Sequence, residues 1–326
     1  MTPSLLQPPG NLSPAEALQL AQQAPKILQQ TPKTVSASPL KSLFAKAETT
    51  DMWTVYENLM LSCLRTGDDV AAHECLERLL VRFGDKDERV MALRGLLKEA
   101  EAKNDTELEK ILGEYETLLE EDGANIPIYK RKIALLRSMG REAEAITALN
   151  AFLDFNPTDS EAWAELADMY RSQGMYSQAI YALEEVLVLI PNAWNVHARL
   201  GEVLLMAAKT TTTDAAPHMH LAEALKRFCR SIELCDDYLR GYYGLKLVTD
   251  KLMNGGAIKS KKIQETEGFS LPDQATIEKL SLVATDKLAE IVRRHGAGEK
   301  NWLGYDADEV AAARELLAKS SPKVVR

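Results

Sequence analysis

Pro157 and Pro191 stand thirty-four residues apart, and the residues ahead of each repeat one spacing. Ahead of Pro191 come Trp163, Leu166, Ala167, Tyr170, Gly174, Tyr176, Ala179 and Leu183. Ahead of Pro157 come Tyr129, Lys132, Ile133, Leu136, Gly140, Ala145 and Leu149. Past Pro191 the phase continues with His197, Leu200, Gly201 and Leu204. Such a period makes each repeat one supersecondary unit that cannot bury its apolar face alone, so copies must stack. A large ring, a Leu three residues on and a small neighbour place a knob and a hole on one helical face. Ala145 and Ala179 allow a second helix to approach, and Leu149 and Leu183 sit one turn later on the same face. Proline then closes that helix, because it has no N–H to continue it.

This spacing resembles the tetratricopeptide pattern, W-x2-L-G-x2-Y, then A-x3-F, then P. The expectation is an all-α chain, a tetratricopeptide-repeat α-solenoid of about five to six helix pairs with capping helices at both ends. Weaker copies flank the central pair. Upstream, Tyr56, Leu59, Ala72 and Leu76 fit, with Gly84 in place of the proline. Val90 and Leu97 open a copy that is over length, a surplus assigned to a longer turn around 103–105. The copy at His197 carries a threonine-rich insertion over 209–220 and resumes with Ala224 and Phe228; Tyr242 and Leu245 open a partial sixth. The expected division is 1–50 as a loose segment with a capping helix; repeats over 51–86, 87–125, 126–159, 160–193, 194–238 and a partial 239–252; and 253–326 as a basic loop (Lys259, Lys261, Lys262) with capping helices. Within the first segment, Ser13 with Pro14 reads as a helix start, Pro25 as a bend or break, and 31–38 as a linker.

Composition excludes more than it identifies. A net charge of −9 disfavours nucleic acid, which needs a basic stripe, and direct docking to anionic lipid. No run reaches the length of a membrane span and the N-terminus lacks a secretory pattern, so a cytosolic or nuclear chain is expected. The four cysteines show no C-x-x-C spacing and are expected reduced. No nucleophile elbow, phosphate loop or dinucleotide fingerprint occurs. His218 and His220 lack a third ligand pattern. The expectation is no enzyme, no cofactor and no metal.

In tetratricopeptide stacks the first helix of each pair lines a concave groove. Carried onto this chain, the resemblance selects Lys130, Ala134 and Arg137; Glu161, Ala164, Asp168 and Arg171; Asn195, Ala198, Glu202 and Leu205; and Arg240, Tyr243 and Leu247. That lining mixes charges with apolar gaps and suits an extended segment. Co-chaperone repeats of this class hold a C-terminal carboxylate with an Asn five residues after the leading position. Here those positions are Leu61, Gly95, Ala134, Asp168 and Glu202, two of which would repel a carboxylate. Capture of a chaperone tail is therefore not expected.

A narrower resemblance covers roughly residues 50–250. The stretch from Asp51 through Trp53 to Glu57, the run from Gly67 to Ala71, Lys130 to Ala134, Glu144-Ala145-Ile146 and Glu161-Ala162-Trp163 resemble the family of subunit 2 of the endoplasmic reticulum membrane protein complex. The resemblance implies a non-catalytic subunit of a membrane insertase, peripheral on the cytosolic face of the endoplasmic reticulum. Its groove would grip cytosolic tails of membrane-embedded subunits and support insertion of transmembrane segments, tail-anchored proteins included. Two alternatives stay open: a helical auxiliary subunit of an acyl- or prenyltransferase, and a free-standing peptide-binding adaptor.

Overall fold

The computed structural model describes residues 4–8, 12–30, 50–210, 216–254 and 271–320. The linker at 31–38, the basic loop and the threonines at 211–213 lie outside them. The described chain is all-α, with no strand among the described residues, and has two compact units, Met1–Ala148 and Leu149–Arg326.

The first unit holds α1 (Pro14–Ala21), α2 (Ala24–Gln30), α3 (Thr50–Thr66), α4 (Asp69–Phe83), α5 (Glu88–Glu101), α6 (Asp105–Glu121) and α7 (Ile126–Ser138); α8 (Glu142–Phe155) begins here and ends in the second unit. Short polar side chains set the helix starts. Asp68, Asp87, Asn104 and Asn125 each accept a backbone N–H three residues on, and Ser13 forms a reciprocal capping box with Glu16. The helix is interrupted between α1 and α2, just ahead of Pro25. Tyr56, Leu59, Met60 and Cys63 of α3 pack with Ala72, Cys75 and Leu76 of α4, and Leu20, Ala21, Ala24 and Leu28 cover them. Arg78, 6 % exposed, ties this cover down. Its guanidinium donates to the Leu28 carbonyl at 2.5 Å, to Tyr56 Oη at 3.1 Å and to Glu74 at 3.0 Å. The Leu28 carbonyl lies at the C-terminal end of α2, where acceptors lack helical partners. Farther along, a Cβ on Gly95 would overlap the Tyr115 phenol, so α5 and α6 meet only because that residue is glycine.

In the second unit α9 (Ser160–Ser172), α10 (Tyr176–Leu189), α11 (Trp194–Thr210), α12 (Ala216–Leu234), α13 (Leu239–Asn254) and α14 (Gln274–Gly296) each pack on the next. A 3-10 turn (Lys300–Trp302) leads to α15 (Ala307–Ser320), which packs on α14 and α13. The core runs through Leu166, Ala167, Ala179, Leu183, Leu200, Phe228, Leu245 and Ile277. Phe228 is fully buried, and two glycines make its socket. A Cβ on Gly201 would come within 2.8 Å of the ring, and one on Gly244 would overlap it.

In three repeats the leading ring has a polar task as well as a packing one. Trp163 Nε1–H donates to the Pro157 carbonyl at 2.9 Å, and Tyr242 Oη to the Asp236 carbonyl at 2.9 Å. His197 Nε2 stands 3.0 Å from the Pro191 carbonyl and donates to it. Each bond reaches six residues upstream and ties the start of a repeat to the turn that closed the previous one. The rings are therefore not all sunk: Trp163, Tyr129 and Tyr170 are half-buried, while His197 and Tyr242 are buried. Glycines at the turns inside repeats, Gly140 (φ 71) and Gly174 (φ 73), adopt the left-handed conformation that stops a helix. The next position in phase is Ala208, and α11 runs on there to seventeen residues where α9 has thirteen. Lys246 occupies the small-residue slot beside Leu245, is 6 % exposed, and extends to Asp250 (2.6 Å) and Ser281 Oγ (3.1 Å).

Candidate partner-binding face

The first helices of the second unit's repeats, α9, α11 and α13, present the positions selected from sequence. Glu161, Arg171, Asn195 and Arg240 are exposed; Ala164, Asp168, Glu202 and Tyr243 are half-buried. Ala198 is 1 % exposed and packs in the core, so it offers no surface to a guest. The charged members include two groups of ion pairs. Asp168 pairs with Arg199 and lies 3.5 Å from Arg171, and Arg240 Nε donates to Glu309 of α15 at 2.6 Å. Burial pushes the Glu202 carboxyl above the usual range, opposed by Arg240, Arg199 and Arg171. Burial likewise lowers the Arg199 guanidinium. The face is thus a partly desolvated lattice of paired charge rather than a row of independent solvated groups.

Beyond Glu202 the face turns apolar. Leu205, Met206 and Leu247 floor a cavity of about 530 Å³ between α11 and α13, with Glu202, Lys209, Asp250, Lys251 and Asn254 around it. Leu205 and Leu247 are groove positions from sequence; Arg199, Lys209 and Lys251 are not. A sequence signal existed for the lysines: each stands four residues after one of those leucines, one turn along the same helical face.

The remaining selected residues belong to the first unit. On α7, Lys130 and Ala134 are half-buried and Arg137 is exposed. Nearby, Arg131 pairs with Glu99, which also accepts from Tyr115 Oη at 2.5 Å. Burial, with Glu99 beside it, pushes the Tyr115 hydroxyl well up. A depression of about 300 Å³ lies between α5 and α6, lined by Met91, Arg94, Gly95, Lys98, Glu114 and Tyr115 among others. Spacing gave no hint of it, because it depends on how α5 and α6 meet around Gly95 and Tyr115. Among the described residues no group of three or more His, Cys, Asp or Glu side chains is placed to hold a metal, and no helix is long and apolar enough to cross a membrane.

Helix pairs closed by proline or glycine, leading rings tied to the preceding turn and a paired-charge face define a tetratricopeptide-repeat protein. Residues 76–221 match the family model described as "EMC2 TPR-like repeat domain". TPR repeat protein oca3 of Schizosaccharomyces pombe is 35% identical over 247 residues, 74% of this chain and 84% of that protein. ER membrane protein complex subunit 2 of Xenopus tropicalis is 33% identical over 195 residues, 60% of this chain and 61% of the frog protein. The chain belongs to the EMC2 family, and its match spans about three fifths of the frog relative's length. Among solved structures, the C-terminal part of a TPR repeat-containing protein from Cytophaga hutchinsonii is similar to this chain at 14% identity and TM-score 0.49, covering 85% of this chain and 99% of that one.

Proposed function

We propose that this chain is a non-catalytic scaffold subunit of an endoplasmic reticulum membrane protein complex, peripheral on the cytosolic face. Its first-helix face holds tail segments of membrane-embedded subunits and so supports insertion of transmembrane segments, tail-anchored proteins included. Kinship with the EMC2 family carries the proposal. The chemistry of the face supports it. Paired charges already partly desolvated, beside an apolar cavity, give a guest both hydrogen-bonding groups and an anchor.

Affinity purification from detergent-solubilised membranes tests the reading. The wild-type chain is expected to bring down membrane-spanning subunits in fixed ratio. Arg171→Glu is expected to weaken that recovery while helicity by circular dichroism stays unchanged. Purification of the chain alone, or of a chain with catalytic turnover of its own, contradicts the reading.

A further inference from the structure

The cavity between α11 and α13 constrains the chemistry of the guest further, and the anchor it forms presupposes the scaffold role already proposed. Its volume, about 530 Å³, falls in the range of ligand-binding clefts. Its floor is apolar, and four charged groups stand around it. Two of these are already answered by the chain itself. Asp250 accepts from Lys246 at 2.6 Å, and Glu202 lies in the field of Arg171, Arg199 and Arg240. The other two are Lys209 and Lys251, each one turn beyond a floor leucine, Leu205 and Leu247. Among the described residues neither ammonium has an anionic partner. Burial, and secondarily the charge of Lys209, lowers the Lys251 ammonium, so the two cations are close enough to repel. Both lie in the last turns of their helices, where the backbone dipole favours positive charge, but that accounts for one lysine per helix and not for their convergence on one apolar floor.

We infer that this cavity anchors a peptide segment of a partner protein with large apolar side chains seated on Leu205, Met206 and Leu247 and with Asp or Glu side chains paired to Lys209 and Lys251. The segment's carboxylates point toward the last turns of α11 and α13. Glu202 lies two turns earlier on α11, which keeps the acidic end away from it. The apolar residues supply most of the affinity, and the lysines set direction and exclude basic segments.

Fluorescence anisotropy on the full chain tests this with two labelled probes: a short Gly-Ser peptide carrying Leu-Leu then Glu-Glu, and its sister carrying Leu-Leu then Lys-Lys. The acidic probe is expected to bind at least about tenfold more tightly than the basic one. Lys209→Glu combined with Lys251→Glu is expected to invert that preference with unchanged circular dichroism, and Leu247→Asp to weaken both probes. Equal affinities, no binding of either probe, or displacement by laurate as readily as by unlabelled peptide would overturn the inference. Co-purification separates this from the broader reading. A wild-type chain that recovers membrane subunits but shows no charge preference loses only the anchor. One that recovers none loses the scaffold role whatever the probes do.

Discussion

Phe228 shows how tightly single residues are constrained. Its ring fills a socket whose walls are the missing side chains of Gly201 and Gly244. Gly244→Ala is expected to force the ring off its rotamer and cost about 1–3 kcal/mol, read as a lower urea midpoint; an unchanged midpoint would mean that α12 and α13 move apart freely. Sequence reading reached Gly201 and Phe228 through the repeat template. Gly244 stands outside any template slot and owes its role to a neighbour distant in sequence. Trp163 teaches the reverse. Its place in the repeat was legible, but its half-buried state and its bond to the Pro157 carbonyl were not, because both depend on the turn it faces. Trp163→Phe should therefore lose about 1 kcal/mol with the hydrogen bond, and Trp163→Ala about 3. Equal losses would mean that the bond contributes nothing. The buried thiols make a further case. Burial pushes Cys63 up to about 11 and Cys75 up to about 12. The folded state disfavours thiolate, so its advantage is complete below the unfolded thiol pKa and is lost as pH rises through the folded values. Native chain at pH 8 should leave both thiols unmodified by iodoacetamide, and the urea midpoint should fall between about pH 9 and 11. Rapid labelling of the folded chain would contradict this.

At the scale of helices, punctuation was the legible part. Proline, Asx and glycine act on the backbone locally, so they announce helix ends before any packing is known. The run of α11 past Ala208 follows the same logic, since nothing at that position favours a left-handed turn. What sequence did not disclose was pairing between helices: Gly95 against Tyr115, Lys246 in a slot kept for small residues, and Arg78 bridging α4 to the end of α2. Those depend on which surfaces meet. Two glycines separate conformation from space, since a Cβ at either meets nothing within 4 Å. Gly174→Ala should destabilise by about 1–2 kcal/mol because its φ of 73 is left-handed. Gly113→Ala, inside α6 with an ordinary φ, should stabilise by roughly 0.5–1 kcal/mol. Thermal denaturation of both variants checks the pair, and a shift in the same direction for both would contradict the assignment.

For the molecule as a whole, one idea joins the parts. The second unit's first helices carry paired charge that gives way to an apolar cavity with Lys209 and Lys251 at its edge. The overall charge of −9 is a sum over the whole chain and says nothing of where Lys209 and Lys251 converge, which is why composition did not reveal them. The most direct measurement is a density map of the assembly purified through this chain. Partner polypeptide lying along α9, α11 and α13, with apolar side chains over Leu205 and Leu247, is the result expected. A well-resolved assembly in which that surface faces only solvent, while partners grip the chain elsewhere, would contradict the account.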